Sequence, residues 1–318
     1  MTTSRRGQRD SRSLIVLLAL AAIWGMSYLF IKVAVRELPP ETIVSGRLLL
    51  ATLTLLLVLY ARGLRLPASL SKWRDFFIVG ISAVVLPFAL IAWGEQSIPS
   101  SLAAILTATA PLFAVLGTSV IARDERMSGL RLFGIGLGFF GVVFTVGLRD
   151  FAFSSAASRG QLAVLAAGAC YGLSGLYARK AFRGQPPLIP ATGQLVAGSL
   201  VITPIALVRH GLPSVPSGEV LGAMLALAFV CTAVAYILFY WLMERIGAVR
   251  TSMVTYLLPP FALVYGWALL DEQVGVNVIA GLLLVIVGIL LANGILRRPG
   301  PANLTVPPQD NLSLDGTS

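Results

Sequence analysis

Two long apolar stretches, each interrupted by proline, constrain the fold of this chain more than any other feature. The first, Leu90–Glu125, contains the end of one apolar segment, a short turn without Lys or Arg, and a second apolar segment broken at Ala110-Pro111. The second, Phe239–Glu272, repeats this design, with Pro259-Pro260 at the break and Asp271-Glu272 at the close. Broken apolar helices at corresponding positions of two halves are typical of a binding site near the middle of a membrane.

The composition excludes an ordinary soluble domain. Of the 318 residues, 57% are hydrophobic and only 12% are charged, whereas soluble chains have about 25% charged residues. The apolar runs reach roughly 20 residues, the length that crosses a bilayer core as an α-helix. Cys170 and Cys231 both fall inside apolar runs, so we expect no disulfide framework and no metal site. The sequence predicts an all-α integral membrane protein without a cofactor.

The apolar runs predict ten transmembrane spans, numbered here in chain order. Residues 1–13 and 297–318 are predicted to be disordered tails, the first of them basic. The first span is expected to be retained, because its apolar run is too long for a signal peptide. The predicted spans are 14–36, 42–61, 73–94, 99–121, 128–148, 161–182, 189–208, 218–242, 247–270 and 275–296.

The positive charges indicate the orientation in the membrane. The formal net charge is +10, but the basic residues lie between apolar runs rather than on one face, which argues against a nucleic-acid partner. Most of the 24 Lys and Arg residues fall in segments on the same side as the N-terminus. By the positive-inside rule both termini are predicted to be cytoplasmic.

The two halves of the chain are related by a shift of 147 residues. This shift aligns Trp24-Gly25-x-Ser27 with Tyr171-Gly172-x-Ser174 and Asp124-Glu125 with Asp271-Glu272. Pro111 aligns with Pro259 after one residue of slack. Each half, 14–148 and 161–296, has five predicted spans, so the second half enters the membrane from the opposite side, as an inverted repeat does.

Several motifs occur in an order that resembles the drug/metabolite transporter superfamily, specifically its EamA-domain permeases with two five-helix repeats. They are Ala22-Ile-Trp24-Gly25-x-Ser27, Leu38-Pro39-Pro40 followed by Arg47, Ala110-Pro111-Leu112-Phe113 before Asp124-Glu125-Arg126, the glycines 134 and 141, and their counterparts Pro259-Pro260-Phe261, Asp271-Glu272, Gly281 and Gly288. The resemblance implies a basket-like carrier of ten helices whose central cavity is lined by spans 3, 4, 8 and 9. It also implies a small-molecule cargo, since members of the family export amino acids and other metabolites, and relatives carry sugars or nucleotide sugars.

Polar and aromatic residues in these four spans are the candidates for lining the cavity. Hydroxyl groups find no partner in lipid, and each proline frees a carbonyl one turn upstream. The alternatives are an interfacial aromatic belt for the rings and simple packing kinks for the prolines. The candidates are Trp93, Gln96, Thr107, Pro111, Thr232, Tyr236, Tyr240, Thr255, Tyr256 and Pro259.

Ionisable residues within or beside the spans are the candidates for gating or ion coupling. Glu95 closes span 3 and could be a titrating gate, although a solvated interfacial carboxylate is the alternative. Arg47 and Lys32 could pair with a carboxylate or an anionic group of the substrate, or could extend to the interface as snorkelling cations. Asp271-Glu272 is expected to sit at the start of span 10, where a carboxylate favours the helix N-terminus. The glycines of spans 5 and 10 are expected to permit close helix packing.

These observations favour a small-metabolite transporter of the bacterial inner membrane that works by alternating access, with an amino-acid-like cargo and export as the preferred direction. A carrier of sugars, nucleotide sugars or lipid headgroups is the alternative within transport, although it would need more Lys and Arg in the cavity. A non-transporting membrane protein or an intramembrane enzyme is a remote alternative, since no nucleophile–base pair or metal-ligand set is visible. The expected partners are the substrate and the bilayer, with the chain a monomer or a weak homodimer.

Overall fold

The computed structural model describes residues 3–121, 128–146 and 155–293. Within these ranges the chain is helical, with short turns and no strand. Asp124-Glu125 and the predicted C-terminal tail, 297–318, lie outside the described residues.

The first half forms seven α-helices and one π-helical segment, π1. They are α1 (Thr3–Ala34), α2 (Pro40–Ala61), α3 (Leu70–Gly80), π1 (Ile81–Val85), α4 (Leu86–Glu95), α5 (Ser100–Thr107), α6 (Ala110–Ile121) and α7 (Gly129–Val146). α1 begins at Thr3, so a helix covers residues 3–13, which the sequence predicts as a disordered tail. Those residues include no proline, and their arginines are good helix formers.

The second half forms six α-helices and a second π-helical segment, π2. They are α8 (Ala156–Ala181), α9 (Leu188–His210), α10 (Gly218–Leu225), π2 (Ala226–Val234), α11 (Ala235–Thr251), α12 (Val254–Leu270) and α13 (Val276–Ala292). Across the described ranges, eight helical stretches are long and apolar enough to cross a membrane, and α12 and α13 are two shorter apolar helices.

The two proline-marked breaks differ in position. Span 4 is interrupted at the turn of Ala108 and Thr109, immediately before Pro111, which is the second residue of α6. The prediction of a break at Pro259-Pro260 is wrong, because α12 continues through both prolines. The proline rings crowd the carbonyls four residues upstream, at residues 255 and 256. The chain leaves the helical conformation earlier still, at residues 252–253, between α11 and α12.

The packing of the helices has the symmetry of an inverted repeat. α1 packs on α12 as its counterpart α8 packs on α6, and α4 packs on α8 as α10, π2 and α11 pack on α1. α2 and α9 are counterparts and pack on each other. At their contact, Thr52 Oγ1 lies 3.0 Å from Ser199 Oγ, and the shift of 147 residues equates these two side chains. Equivalent residues meet in this way only at a two-fold axis.

Glycines allow α7 and α13, the remaining pair of counterparts, to pack closely. A Cβ atom at Gly141 would lie 2.8 Å from Leu284 Cβ and 2.9 Å from the carbonyl oxygen of Gly281. Gly134 and Gly288 also have no room for a side chain, whereas Gly136 has nothing within 4 Å. The predicted packing role is therefore confirmed for the glycines that face the partner helix.

Candidate functional site

Two glycines bring the broken helices against α1 and α8. A Cβ atom at Gly25 of α1 would lie 3.1 Å from the backbone nitrogen of Ala262 in α12. The counterpart at Gly172 of α8 would lie 2.8 Å from the backbone nitrogen of Ala114 in α6. The two contacts are related by the same one-residue slack that relates the prolines. Each repeat therefore contacts the proline-containing helix of the other repeat, α12 or α6, by the same close backbone approach.

π1 and π2 lie at corresponding positions of the third helix in each repeat. In π2 the hydroxyl of Thr232 donates to the carbonyl of Leu227, five residues earlier, at 2.7 Å. π-helical segments are rare and occur frequently at functional sites. The apolar pattern of these spans carries no sign of them, and sequence reasoning missed both.

Arg47 of α2 lies inside the bundle rather than at a membrane interface, with 4% of its surface exposed. Its Nε donates to Thr232 Oγ1 at 2.7 Å, and its guanidinium carbon lies 4.0 Å from the centre of the Phe88 ring. No carboxylate of the described residues comes within 4 Å of it. Among the described residues, its two terminal nitrogens, Nη1 and Nη2, make no hydrogen bond. These two nitrogens are not fully enclosed by protein atoms, so they border accessible space.

Tyrosines lie in the same part of the bundle. Tyr171 and Tyr236 pack against the hydrophobic cluster that contains Phe88, and Tyr171 also packs against the cluster that contains Tyr28. The Tyr236 ring centre is 6.1 Å from that of Tyr240, one helical turn along. Three predicted cavity residues, Thr232, Tyr236 and Tyr240, therefore lie in the same part of the bundle as Arg47. We call these four residues, together with Phe88, Tyr28 and Tyr171, the Arg47 cluster. Sequence reasoning missed these last three residues. The hydroxyl-bearing rings inside apolar spans were the available signal for the tyrosines.

The hydroxyl of Tyr28 connects the cluster to α5. Tyr28 Oη lies 2.6 Å from Thr107 Oγ1, and the Thr107 hydroxyl also contacts the carbonyl of Ala103. A threonine hydroxyl has one proton. If it donates to that carbonyl, Tyr28 donates to Thr107. The predicted candidate Thr107 is therefore a buried partner of α1.

Lys32 of α1 binds the end of α4. Its ammonium group donates to the carbonyls of Glu95 at 2.6 Å and Ile98 at 2.8 Å. These carbonyls have no donor within the helix, and a cation stabilises the negative end of the helix dipole. We call this end of the bundle, where α4 ends and α5 begins, the Lys32 end.

The Glu95 side chain is enclosed at the Lys32 end. It has no exposed surface, and both carboxyl oxygens lack a hydrogen-bond partner. No cation of the described residues lies within salt-bridge distance of it. A buried carboxyl group without a hydrogen-bond partner costs free energy, so the enclosure of Glu95 destabilises this arrangement of the helices.

Glu272, which follows α12, closes the Lys32 end by binding the start of α5. Its carboxylate accepts the backbone N–H of Ser100 at 2.6 Å, the backbone N–H of Ser101 at 3.1 Å and the Ser101 hydroxyl at 2.6 Å. The expectation that Glu272 sits at the N-terminus of span 10 is wrong, because it caps a helix of the other repeat. α5 begins after Pro99 and has no side-chain cap of its own, so its N–H groups are available.

The loops at the Lys32 end are also tied together. The backbone N–H of Ser217, before α10, donates to Glu37 at 2.8 Å. Hydrogen bonds from the Ser217 side chain and backbone hold the pKa of Glu37 below its usual value. Arg209 and His210 at the end of α9 both contact Glu41 at the start of α2.

Corresponding segments of the two repeats differ in exposure. In α5, Ser100, Ser101 and residues 103–107 are all buried. The 147-residue shift, with its one residue of slack, places the counterpart of α5 at about residues 247–255, at the opposite end of the bundle. There Gly247, Arg250 and Ser252 are exposed and Thr255 is half-buried, whereas Thr251 and Val254 are buried. This counterpart is therefore less completely buried than α5.

The other predicted cavity residues are scattered. Trp93 lies on the side of α4 opposite Glu95 and is 44% exposed, and Gln96 is exposed as well. Pro111 is half-buried in α6 and Pro259 is buried in α12. Thr255 donates to the carbonyl of Ser252, and Tyr256, one residue further along α12, is half-buried.

Metal-ligating residues do not cluster in this part of the molecule. Within the described ranges, no group of three or more His, Cys, Asp or Glu side chains could hold an ion. The chemistry available at the Arg47 cluster is therefore that of one guanidinium, several hydroxyls and aromatic rings.

Comparisons with known proteins give the relatives of this chain. The model of the EamA-like transporter family matches residues 11–147 and again residues 158–294. The chain is 23% identical to the uncharacterized transporter YoaV of Bacillus subtilis over 86% of this chain and 94% of the relative. It is 24% identical to the uncharacterized inner membrane transporter YedA of Escherichia coli K12, over 80% of this chain and 82% of the relative.

A solved crystal structure shares the fold. It superposes with a TM-score of 0.64 at 18% identity, over 90% of this chain and 99% of the other. Two tandem family matches, together with the inverted packing described above, account for nearly the whole length of the chain. It belongs to the EamA-like transporter family and is a multi-pass membrane transporter of the cell membrane.

Proposed function

We propose that this protein moves a small, amino-acid-like metabolite across the inner membrane by alternating access, with export as its direction. The observation that carries the proposal is the combination of symmetric packing with asymmetric exposure. Inverted repeats that can exchange their conformations open a central site to one side and then to the other. The fuller burial of α5 at the Lys32 end, compared with its counterpart at the opposite end, supports assigning the structure to one of these two states.

The membrane topology follows from the charges. We take α12 and α13 as spans 9 and 10, so that ten helices cross the bilayer and both termini are cytoplasmic. The Lys32 end then faces outward, and the more open end faces the cytoplasm, from which an exporter takes its cargo. The positive-inside distribution of Lys and Arg supports this orientation.

The cargo site in this proposal is the Arg47 cluster, with Tyr236 and Tyr240 lining the route toward the open end. Glu95 is the candidate for a coupling proton, because it is enclosed without a partner at the end that must open. Hydrolytic or redox chemistry is not part of the proposal, since the cluster offers no base beside a nucleophile.

The test is transport by the purified full-length chain in proteoliposomes, with a panel of radiolabelled amino acids and related metabolites, with and without a pH gradient. We expect Tyr236→Phe and Tyr240→Phe to reduce the rate for a transported solute, because each deletes one hydroxyl and preserves the ring. Tyr60→Phe is the matched control, since Tyr60 is 56% exposed at the end of α2. Absence of transport for every solute on the panel would contradict the proposed function, and equal rates in all three variants would contradict the site.

A further inference from the structure

We propose that Arg47 is an anion-binding subsite that takes the carboxylate of the cargo, so that the substrates of this protein are monocarboxylates. The inference rests on the proposed function and assigns a chemical class to the cargo. Sequence reasoning placed hydroxyls and rings in the cavity and left Arg47 either as a partner for an anionic group or as a snorkelling cation. The structure adds a cation to those hydroxyls and rings.

The first argument is the incomplete pairing of Arg47. A guanidinium stays charged at any physiological pH, and a buried charge is stabilised only when it is paired and hydrogen-bonded. Arg47 uses one of its five donors, Nε, on a neutral hydroxyl, and places Phe88 against one face. Its terminal nitrogens border accessible space without a hydrogen bond in the described residues. They are the donors that bind a carboxylate.

The second argument is that the cluster occurs in one repeat only. Several residues that serve packing occur at both symmetric positions, as Gly25 with Gly172 and Gly141 with Gly288 do, whereas Arg47 does not. The counterpart of Arg47 is Gln194, and the positions that correspond to its contacts Thr232 and Phe88 hold Val85 and Ala235. The positions that correspond to Tyr28 and Tyr236 hold Gly175 and Ala89. The pseudo-symmetric framework is therefore broken where Arg47 lies, as expected for an asymmetric ligand.

The third argument distinguishes a carboxylate from a phosphate. Lys32, the other cationic candidate from the sequence, uses two of its donors on backbone carbonyls at the end of α4. That leaves one guanidinium. One cation matches a monoanion, whereas a phosphate dianion would need a second cation. The rings of Tyr28, Tyr171 and Tyr236 in this part of the bundle suit an apolar or aromatic remainder of the cargo.

The experiment compares acids with their primary amides as ligands of the purified full-length protein. The probes are L-leucine, L-phenylalanine, L-tryptophan and 3-phenylpropionate, each beside its amide, with inorganic phosphate as a competitor. Binding is followed by thermal unfolding and by titration calorimetry in detergent. We expect at least one acid to bind about 10- to 100-fold more tightly than its amide, the range for losing a charge-assisted hydrogen bond at a desolvated site.

Arg47→Gln introduces the residue of the symmetric position, so we expect it to fold and to reduce the ratio of acid to amide affinity to about 1. Arg47→Lys keeps the charge and should retain part of the preference. Arg36→Gln is the matched control, because it removes the same charge from an exposed pair with Glu219 and should leave the ratio unchanged.

Several results would overturn the assignment. They are equal binding of acids and amides by the natural protein, no binding of any acid, persistence of the preference in Arg47→Gln, or stronger binding of phosphate than of every acid. The proteoliposome assay separates this inference from the proposed function. Equal transport of an acid and its amide would leave the transporter standing and remove the subsite. An acid that binds through Arg47 but is not transported would support the subsite and contradict the proposed function.

Discussion

Replacement of Glu272 by Gln should open the Lys32 end. The carboxylate accepts three hydrogen bonds from α5, at 2.6, 3.1 and 2.6 Å, and places a negative charge at a helix N-terminus. In the carboxylate, each of the two backbone N–H groups donates to a different oxygen. The amide of Gln has only one oxygen and no charge, so it loses one of these acceptors and the favourable interaction with the helix N-terminus. Loss of one charge-assisted bond and weakening of the others costs about 2 kcal/mol. The ratio of closed to open molecules should then fall by about 30-fold.

Ser100 provides the reporter for this opening. Its hydroxyl is enclosed without a partner and its surface is 1% exposed, so Ser100→Cys preserves the backbone contact and buries a thiol at the closed end. In a background with Cys170 and Cys231 replaced by Ala, a membrane-impermeant maleimide added from outside should label this thiol slowly. The second substitution, Glu272→Gln, should raise the labelling rate by about the same 30-fold as the population of open molecules.

Asp271→Asn is the matched control for Glu272→Gln. It converts the neighbouring carboxylate to an amide, and Asn tolerates the left-handed backbone conformation found there, with a φ of 53°. We expect its labelling rate to equal that of the parent. If Glu272→Gln labels no faster than Asp271→Asn, the three hydrogen bonds do not hold this end closed, and the reasoning is refuted.

Three further predictions concern contacts around this end and the helix interface. Tyr28→Phe should raise labelling of the same reporter, because it removes the bond to Thr107; an unchanged rate would count against the contact. Glu95→Gln should fold with unchanged or higher thermal stability, since it neutralises a carboxyl without a partner, and its transport rate should depend less on pH than that of the parent; an equally steep profile would exclude Glu95 as the coupling site. Gly141→Ala should destabilise the protein by about 1 to 3 kcal/mol through overpacking, measured by thermal unfolding, whereas Gly136→Ala, with nothing within 4 Å, should not.

The repeat and its glycine interface could be predicted from the sequence because they depend on local and periodic signals. Apolar run length indicated the helices, and the 147-residue shift indicated that α13 corresponds to α7 and α9 to α2. The glycine positions, such as Gly141 and Gly288, indicated the close interface correctly. These features occur in both repeats, so the pattern in one half of the sequence can be checked against the pattern in the other.

The contacts of Arg47 and Glu272 could not be predicted, because they depend on which way each side chain points and on how the helices meet. A single Arg47 in an apolar helix can extend to the interface or point into the bundle, and composition does not separate the two. Glu272 binds α5 across 172 and 171 residues of sequence, so its adjacency to span 10 suggested the wrong helix. π2 changes the direction in which Thr232 and its neighbours project from the helix, and the apolar pattern of the sequence predicts neither π2 nor π1.

The position of Tyr28 and Lys32 on α1 links the proposed cargo site to the Lys32 end. They are four residues apart, so they project from the same face of the helix, one turn from each other. Tyr28 belongs to the Arg47 cluster and binds α5 through Thr107, whereas Lys32 holds the end of α4. In the proposed mechanism, opening of the Lys32 end separates α1 from both helices and moves Tyr28 relative to Arg47 of α2. A cargo that contacts Tyr28 and Arg47 together therefore changes the free energy of opening, and this differential contact is what allows a ligand to shift a two-state equilibrium.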